Sequence, residues 1–144
     1  MVPARLTVVT LGARDLPSLR EFYTRLGWPL AIEMDGFAVF GLHGAVLALF
    51  PLDELAADGH VEAAAPAEGI AASLAINVDE RDEVDTALDA ARAAGGRVTK
   101  EPVDADWGGR TAYFADPEDN YWEIAWVPPD SSMAAAIARA RASA

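Results

Sequence analysis

Few residues in this chain have side chains suited to chemistry, and Glu123 is the most conspicuous of them. The stretch "NYWEIAW", residues 120 to 126, sets that carboxylate among aromatic and aliphatic neighbours. A charge on so apolar a segment must be paired, bind a metal or face a wet cavity, because an unpaired buried carboxylate is costly. Acting alone it is a candidate general base. The chain has no cysteine, which excludes thiol nucleophiles, disulfides and thiolate metal sites. Its two histidines add little. His43 falls among turn residues, and His60 lies near Asp58 and Glu62 in an acidic stretch that reads as a solvated loop rather than an ion site. No Ser-His-Asp set, Gly-rich phosphate loop or hydrolase elbow is found. Trp107, in "DWGG", can stack on a planar ligand or a cation, or merely pack the end of a sheet.

A length of 144 residues suits one domain, or one domain built from two small halves. With 52% hydrophobic and 24% charged residues, the composition is that of an ordinary globular protein. No apolar run approaches the roughly 20 residues that span a bilayer, and the N-terminus lacks a signal-peptide pattern. A cytoplasmic protein without membrane contact is the expectation. The net charge of -12 argues against nucleic acid, whose phosphates need basic partners. It suits either a cationic ligand or simple solubility.

The elements that position these residues can be read in order. Residues 5 to 13, "RLTVVTLGA", form a β-branched strand. Asp15 is an apt helix N-cap, and Pro17 fits the first turn. Leu16, Leu19, Phe22, Tyr23 and Leu26 recur at helical spacing, and Gly27 with Pro29 ends that helix. A strand at about 29 to 34 follows, and then "FAVFGL" and "AVLALF" as a hairpin around Leu42, His43 and Gly44. Residues 52 to 70 hold five acids and no Lys or Arg, and read as a short helix followed by a connector. The order then repeats. "ASLAINV" is a strand, Val84, Ala87, Leu88 and Ala91 mark a helix ending at Gly95 and Gly96, and "RVTKEPV", "GRTAYFA" and "NYWEIAWV" are strands. A turn around Pro117 joins the last two, and residues 131 to 143 read as an added helix capped by Ser131 or Ser132.

Internal alignment supports a repeat. "LGARDL" matches "INVDER" at an offset of 65, and "VLALF" matches "YWEIA" at 75, which sets Ala48 opposite Glu123. The fold class is therefore α+β, with two βαβββ modules in tandem. A single domain over 1–128 is expected, with module one at about 5–51, the acidic connector at 52–70 and module two at about 71–128. Residues 129–144 form a helical extension.

The stretches "VTLGARDLPSLREFYTRLGW" and "GGRTAYFADPEDNYWEIAW" resemble the vicinal oxygen chelate superfamily, which includes glyoxalase I, extradiol dioxygenases and the fosfomycin and bleomycin resistance proteins. The resemblance implies curved mixed sheets around a cavity with helices outside, and a homodimer. It also implies metal ligands from the first and last strand of each module. Asp119 takes a turn position where such proteins usually carry Gly, a substitution that Asp tolerates better than most residues.

Strand parity tests the implied site, because side chains alternate across a strand. Trp122, Ile124 and Trp126 suit the helix-covered face, which turns Tyr121, Glu123 and Ala125 toward the cavity. The same argument turns Val8, Thr10 and Gly12 inward, with Val46, Ala48, Phe50, Ser73, Ala75 and Asn77. Hairpin pairing adds Phe37, Val39, Thr111 and Tyr113. By the ligand pattern that the resemblance implies, the metal-ligand positions are Val8, Ala48, Ser73 and Glu123, of which only the last is a good donor, so no metal or other cofactor is expected. The candidate ligand contacts are Glu123, Tyr121, Tyr113, Trp107, Phe37, Val39, Phe50, Val8, Thr10, Ser73 and Asn77. The expected function is metal-independent binding of a small molecule that offers Glu123 a cationic or hydrogen-bond-donating group, with antibiotic or metabolite sequestration as the concrete version. The alternative is a metal-dependent glyoxalase-like lyase, isomerase or dioxygenase.

Overall fold

The computed structural model of the chain describes residues 1–66 and 69–142. Residues 67 and 68 of the acidic connector and residues 143 and 144 of the C-terminal extension lie outside the described residues. The chain divides into two compact units, Met1–Gly69 and Ile70–Ala144.

The first unit runs β1 (Val8–Ala13), α1 (Leu16–Arg25), β2 (Leu30–Met34), β3 (Phe37–Gly41), β4 (Val46–Pro51) and α2 (Leu52–Asp58). Asp15 caps α1 as expected, its carboxylate accepting from the Ser18 amide at 3.1 Å. Leu19, Phe22 and Tyr23 form the buried face of that helix, and Tyr23 meets Phe40 of β3. Burying each such side chain contributes about 1.5–3 kcal/mol. The sheet order is β1-β4-β3-β2, with β1 parallel to β4 and the other pairs antiparallel. The strand expected from residue 5 begins only at Val8, where the ladder to β4 starts, although the Thr7 carbonyl still accepts from the Val46 amide at 2.9 Å.

The second unit repeats this plan with β5 (Ser73–Asn77), α3 (Glu83–Ala94), β6 (Arg97–Asp104), β7 (Arg110–Ala115) and β8 (Tyr121–Trp126), followed by α4 (Ser132–Ala142). Its order is β5-β8-β7-β6, again with the first and last strands parallel. Val84, Leu88 and Ala91 bury one face of α3, and Gly95 ends the helix at φ 105°. Phe114 and Trp122 stack beneath it with ring centroids 6.4 Å apart. Arg110 ties α3 to the sheet through bonds of 2.7 and 2.8 Å to Asp85, and it also reaches Asp104. The two carboxyls are held below their ordinary value chiefly by hydrogen bonds from Arg110. Asp116 is 2% exposed and accepts from the Glu118 and Asn120 amides, which closes the turn before β8. Asp119 stands in that turn at φ 63°, the left-handed conformation expected at a glycine-like position. Ser131 supplies the α4 cap, accepting from Ala134.

One element departs from the parity scheme. The parallel register sets Gly12 opposite Phe50, on the face away from α1, where an open position was expected. Instead α2 folds over this end of the face: a methyl group on Gly12 would stand 2.6 Å from Leu52 Cδ1 and 3.3 Å from Leu55 Cδ2. The sequence stops β4 at Pro51 and starts α2 at once, so the helix has no length of chain in which to swing clear. Gly12→Ala should therefore lower unfolding free energy by about 1–3 kcal/mol in a urea titration, as overpacking does. Gly41→Ala, where a methyl group meets open space, is the control and should change it far less.

Candidate functional site

In each unit the helix covers one face of the sheet, and the candidate residues line the other. In the first unit Ala38, Phe40, Leu47 and Leu49 lie beneath α1 and are buried. The opposite face carries Val8, Thr10, Val39, Ala48, Phe37 and Phe50, as parity required. Phe37 and Phe50 meet edge to face with centroids 6.0 Å apart. Val8 is 48% exposed, and Ile32 and Met34 of β2 extend the apolar surface beside Val39 and Phe37. No charged residue of β1, β3 or β4 stands on this face.

The second unit differs in chemistry rather than in register. Thr10 pairs with Ala48 and Ala48 with Val39 in the first sheet; Ala75 pairs with Glu123 and Glu123 with Tyr113 in the second. Tyr113 and Glu123 are direct cross-strand partners, and the phenol is pushed above its ordinary value, first by burial and then by the Glu123 carboxylate beside it. Ser73 is exposed opposite Tyr121. Asn77 sends its side-chain amide back to the Ala125 carbonyl at 3.4 Å. Arg97 pairs with Asp119 at 2.5 Å and is held above its ordinary value first by that bond and then by Tyr121. Arg97 and Arg110 thus have other carboxylates as partners, and neither holds Glu123.

Parity missed one residue on this face. Lys100 pairs with Tyr113 in the β6–β7 ladder, donates to Thr111 Oγ1 at 2.7 Å and places its ammonium 5.5 Å from the Tyr113 ring centroid. Strict alternation puts Lys100 with Val98, which pairs with Phe114 on the helix side. The register shifts between Val98 and Lys100, where an extra residue turns Lys100 onto the Glu123 face, and shifts again before Val103. Pro102, which has no N–H to give a ladder, lies in the second irregular stretch. The one sequence signal for Lys100 is that it is the only lysine in the chain.

Trp107 stands in the turn between β6 and β7, closed by bonds of 2.8 Å between Ala105 and Gly109 and between Gly108 and Ala105. Its ring lies on Gly109, where an added methyl group would meet ring atoms at 1.9 Å, yet the residue stays 56% exposed. Trp107 thus forms an aromatic platform seated on glycine backbone. A separate open groove of about 550 Å³ lies outside the first unit, lined by Arg20, Thr24, Leu30 and Glu33 among others. Its Arg20 and Glu33 already pair with each other.

The donor set does not fit a divalent ion of the kind that the resemblance implied. Val8 and Ala48 have no donor atoms, and in the second unit Ser73 and Glu123 supply one strong donor between them. Among the described residues no three His, Cys, Asp or Glu side chains gather as a metal site would require.

Two outcomes check this geometry. Because Tyr113 titrates higher in the folded chain than the ordinary 10.0, the stability it contributes is full below that value and is lost as pH rises through the folded value. Urea unfolding at alkaline pH should show this loss, and Tyr113→Phe should lessen it; Glu123→Gln should remove only part of the shift in a phenolate absorbance titration, since burial is the larger cause. Gly109→Ala should unseat Trp107 and change its emission relative to a Trp107→Phe reference, with little change in stability.

The comparisons with known proteins agree with this architecture. The model of the Glyoxalase/Bleomycin resistance protein/Dioxygenase superfamily matches residues 5–124. A glyoxalase-related enzyme from Fulvimarina pelagi is similar in structure, with a TM-score of 0.80 and 31% identity over 88% of this chain and 90% of that one. A glyoxalase/bleomycin resistance protein/dioxygenase from Nocardioides gives 0.78 and 31%, covering 91% of this chain and 88% of that one. Lactoylglutathione lyase from Agrobacterium tumefaciens shares the fold at 0.68, with 22% identity over 87% of this chain and 95% of the other. No curated protein matches the chain. The tandem βαβββ units and the matched stretch together show that the chain belongs to the glyoxalase/bleomycin resistance protein/dioxygenase superfamily.

Proposed function

We propose that this protein binds a small molecule without a metal ion, on the face of the second sheet that carries Glu123. The observation that carries the reading is the position of Glu123 between Tyr113 and Ala75 in the strand register, with Ser73 two residues along β5, where metal coordination would call for further strong donors. A carboxylate beside a phenol has acceptor capacity for a ligand ammonium, amide or hydroxyl. Ser73, Asn77, Tyr121 and Trp107 are the neighbouring contacts in this reading. Apolar contact by Val8, Thr10, Phe37, Val39 and Phe50 belongs to the corresponding face of the first unit. Sequestration of an antibiotic or metabolite is the form of function that needs no more than this. The cytoplasmic location and homodimer expected from the sequence belong to the same proposal, and sedimentation equilibrium tests the dimer.

Metal analysis of protein purified without chelator, beside Glu123→Ala, decides between this reading and a metal-dependent lyase or dioxygenase. Less than a stoichiometric ion, with calorimetric binding of a cationic peptide antibiotic that Glu123→Ala weakens by about tenfold or more, is the expected result. A stoichiometric ion that Glu123→Ala releases would overturn it.

A further inference from the structure

The ionic partners in the second unit single out Lys100. Arg81, Arg92, Arg97, Arg110 and Arg141 each pair with a carboxylate. The partners of Lys100 are instead neutral: the Thr111 hydroxyl and the Tyr113 ring. Thr111 is 3% exposed and holds the ammonium in place from below, while Lys100 itself is exposed. A cation fixed in this way keeps two of its three donors for something else. Across the sheet, Lys100, Tyr113 and Glu123 are successive partners on β6, β7 and β8, so they form one row. With strands about 4.8 Å apart, the α-carbons at the two ends of that row are about 10 Å apart. The row therefore presents a positive group, a phenol and a negative group in order.

We propose that this row binds a bipolar small molecule, with an anionic group such as a carboxylate received by Lys100 and an ammonium received by Glu123. The proposal rests on the metal-free binding reading and narrows its ligand class to molecules that add an anionic group, for Lys100, to the ammonium received by Glu123. Lys100 is then the specificity-determining residue, and Thr111 positions it. The Tyr113 ring between them gives the ligand's apolar middle a surface to lie on. A molecule with only one of the two charges leaves the opposite protein charge unanswered, which is the basis of discrimination.

Because the chain has one lysine, growth on carbon-13 lysine yields one set of side-chain signals. The full-length protein is titrated with 6-aminohexanoate, hexanoate and hexylamine to tens of millimolar. The Lys100 signals should move with 6-aminohexanoate and with hexanoate, and the bipolar probe should bind at least about tenfold tighter than either half, the worth of one charge-assisted contact. Lys100→Gln should cut 6-aminohexanoate affinity to that of hexylamine, and Glu123→Gln should cut it to that of hexanoate, with unchanged circular dichroism as the folding control. If hexylamine shifts the Tyr113 amide but no probe moves Lys100, the binding reading stands and the anion subsite falls. If no probe moves either group, both fall.

Discussion

The parallel pairing of the first and last strands in each unit is the constraint on which the site depends. It places β4 and β8 inside their sheets, hydrogen-bonded on both edges. A strand held on both sides cannot slip by one residue without turning its whole apolar set to the wrong face. In β8 that set is Trp122 and Ile124, both buried under α3's side of the sheet. Their burial is what holds Glu123 on the other face. The orientation of the one conspicuous carboxylate is thus fixed by hydrophobic packing behind it, not by any partner of its own.

The same constraint explains how two units of one plan carry different chemistry. Thr10, Ala48 and Val39 occupy the register that Ala75, Glu123 and Tyr113 occupy in the second unit. Residues beneath the helices are apolar and mostly large in both, because they make the cores. Residues on the other face can change with little cost to those cores. The superfamily name itself joins several activities, as expected when stability and chemistry reside on opposite faces of a sheet.

Much of this was legible in the sequence. Asp15, Gly27 and Gly95 mark helix ends through cap and turn chemistry that acts locally, and Trp122, Glu123 and Ile124 declare their faces by simple alternation. Two features were not legible, each for a definite reason. The covering of Gly12 by Leu52 and Leu55 depends on where α2 goes after β4, a tertiary choice that parity cannot express. Lys100 was assigned no role because alternation fails at a bulge, and nothing in "RVTKEPV" announces where the extra residue falls. The roles proposed for Glu123 and Lys100 rest on their surroundings, so residue type alone could not supply them.

The bulge in β6 also bears on how such a protein changes over generations. Substitution alters a side chain and leaves its direction alone, whereas loss of one residue near Thr99 would restore regular alternation and reverse the direction in which Lys100 points. Loss or gain of a single codon in that strand is therefore enough to withdraw or present a positive charge, while β7 and β8 keep their register. A change of length in this edge strand would thus alter the chemistry of the Glu123 face more abruptly than point mutation, at a place where the core has little say.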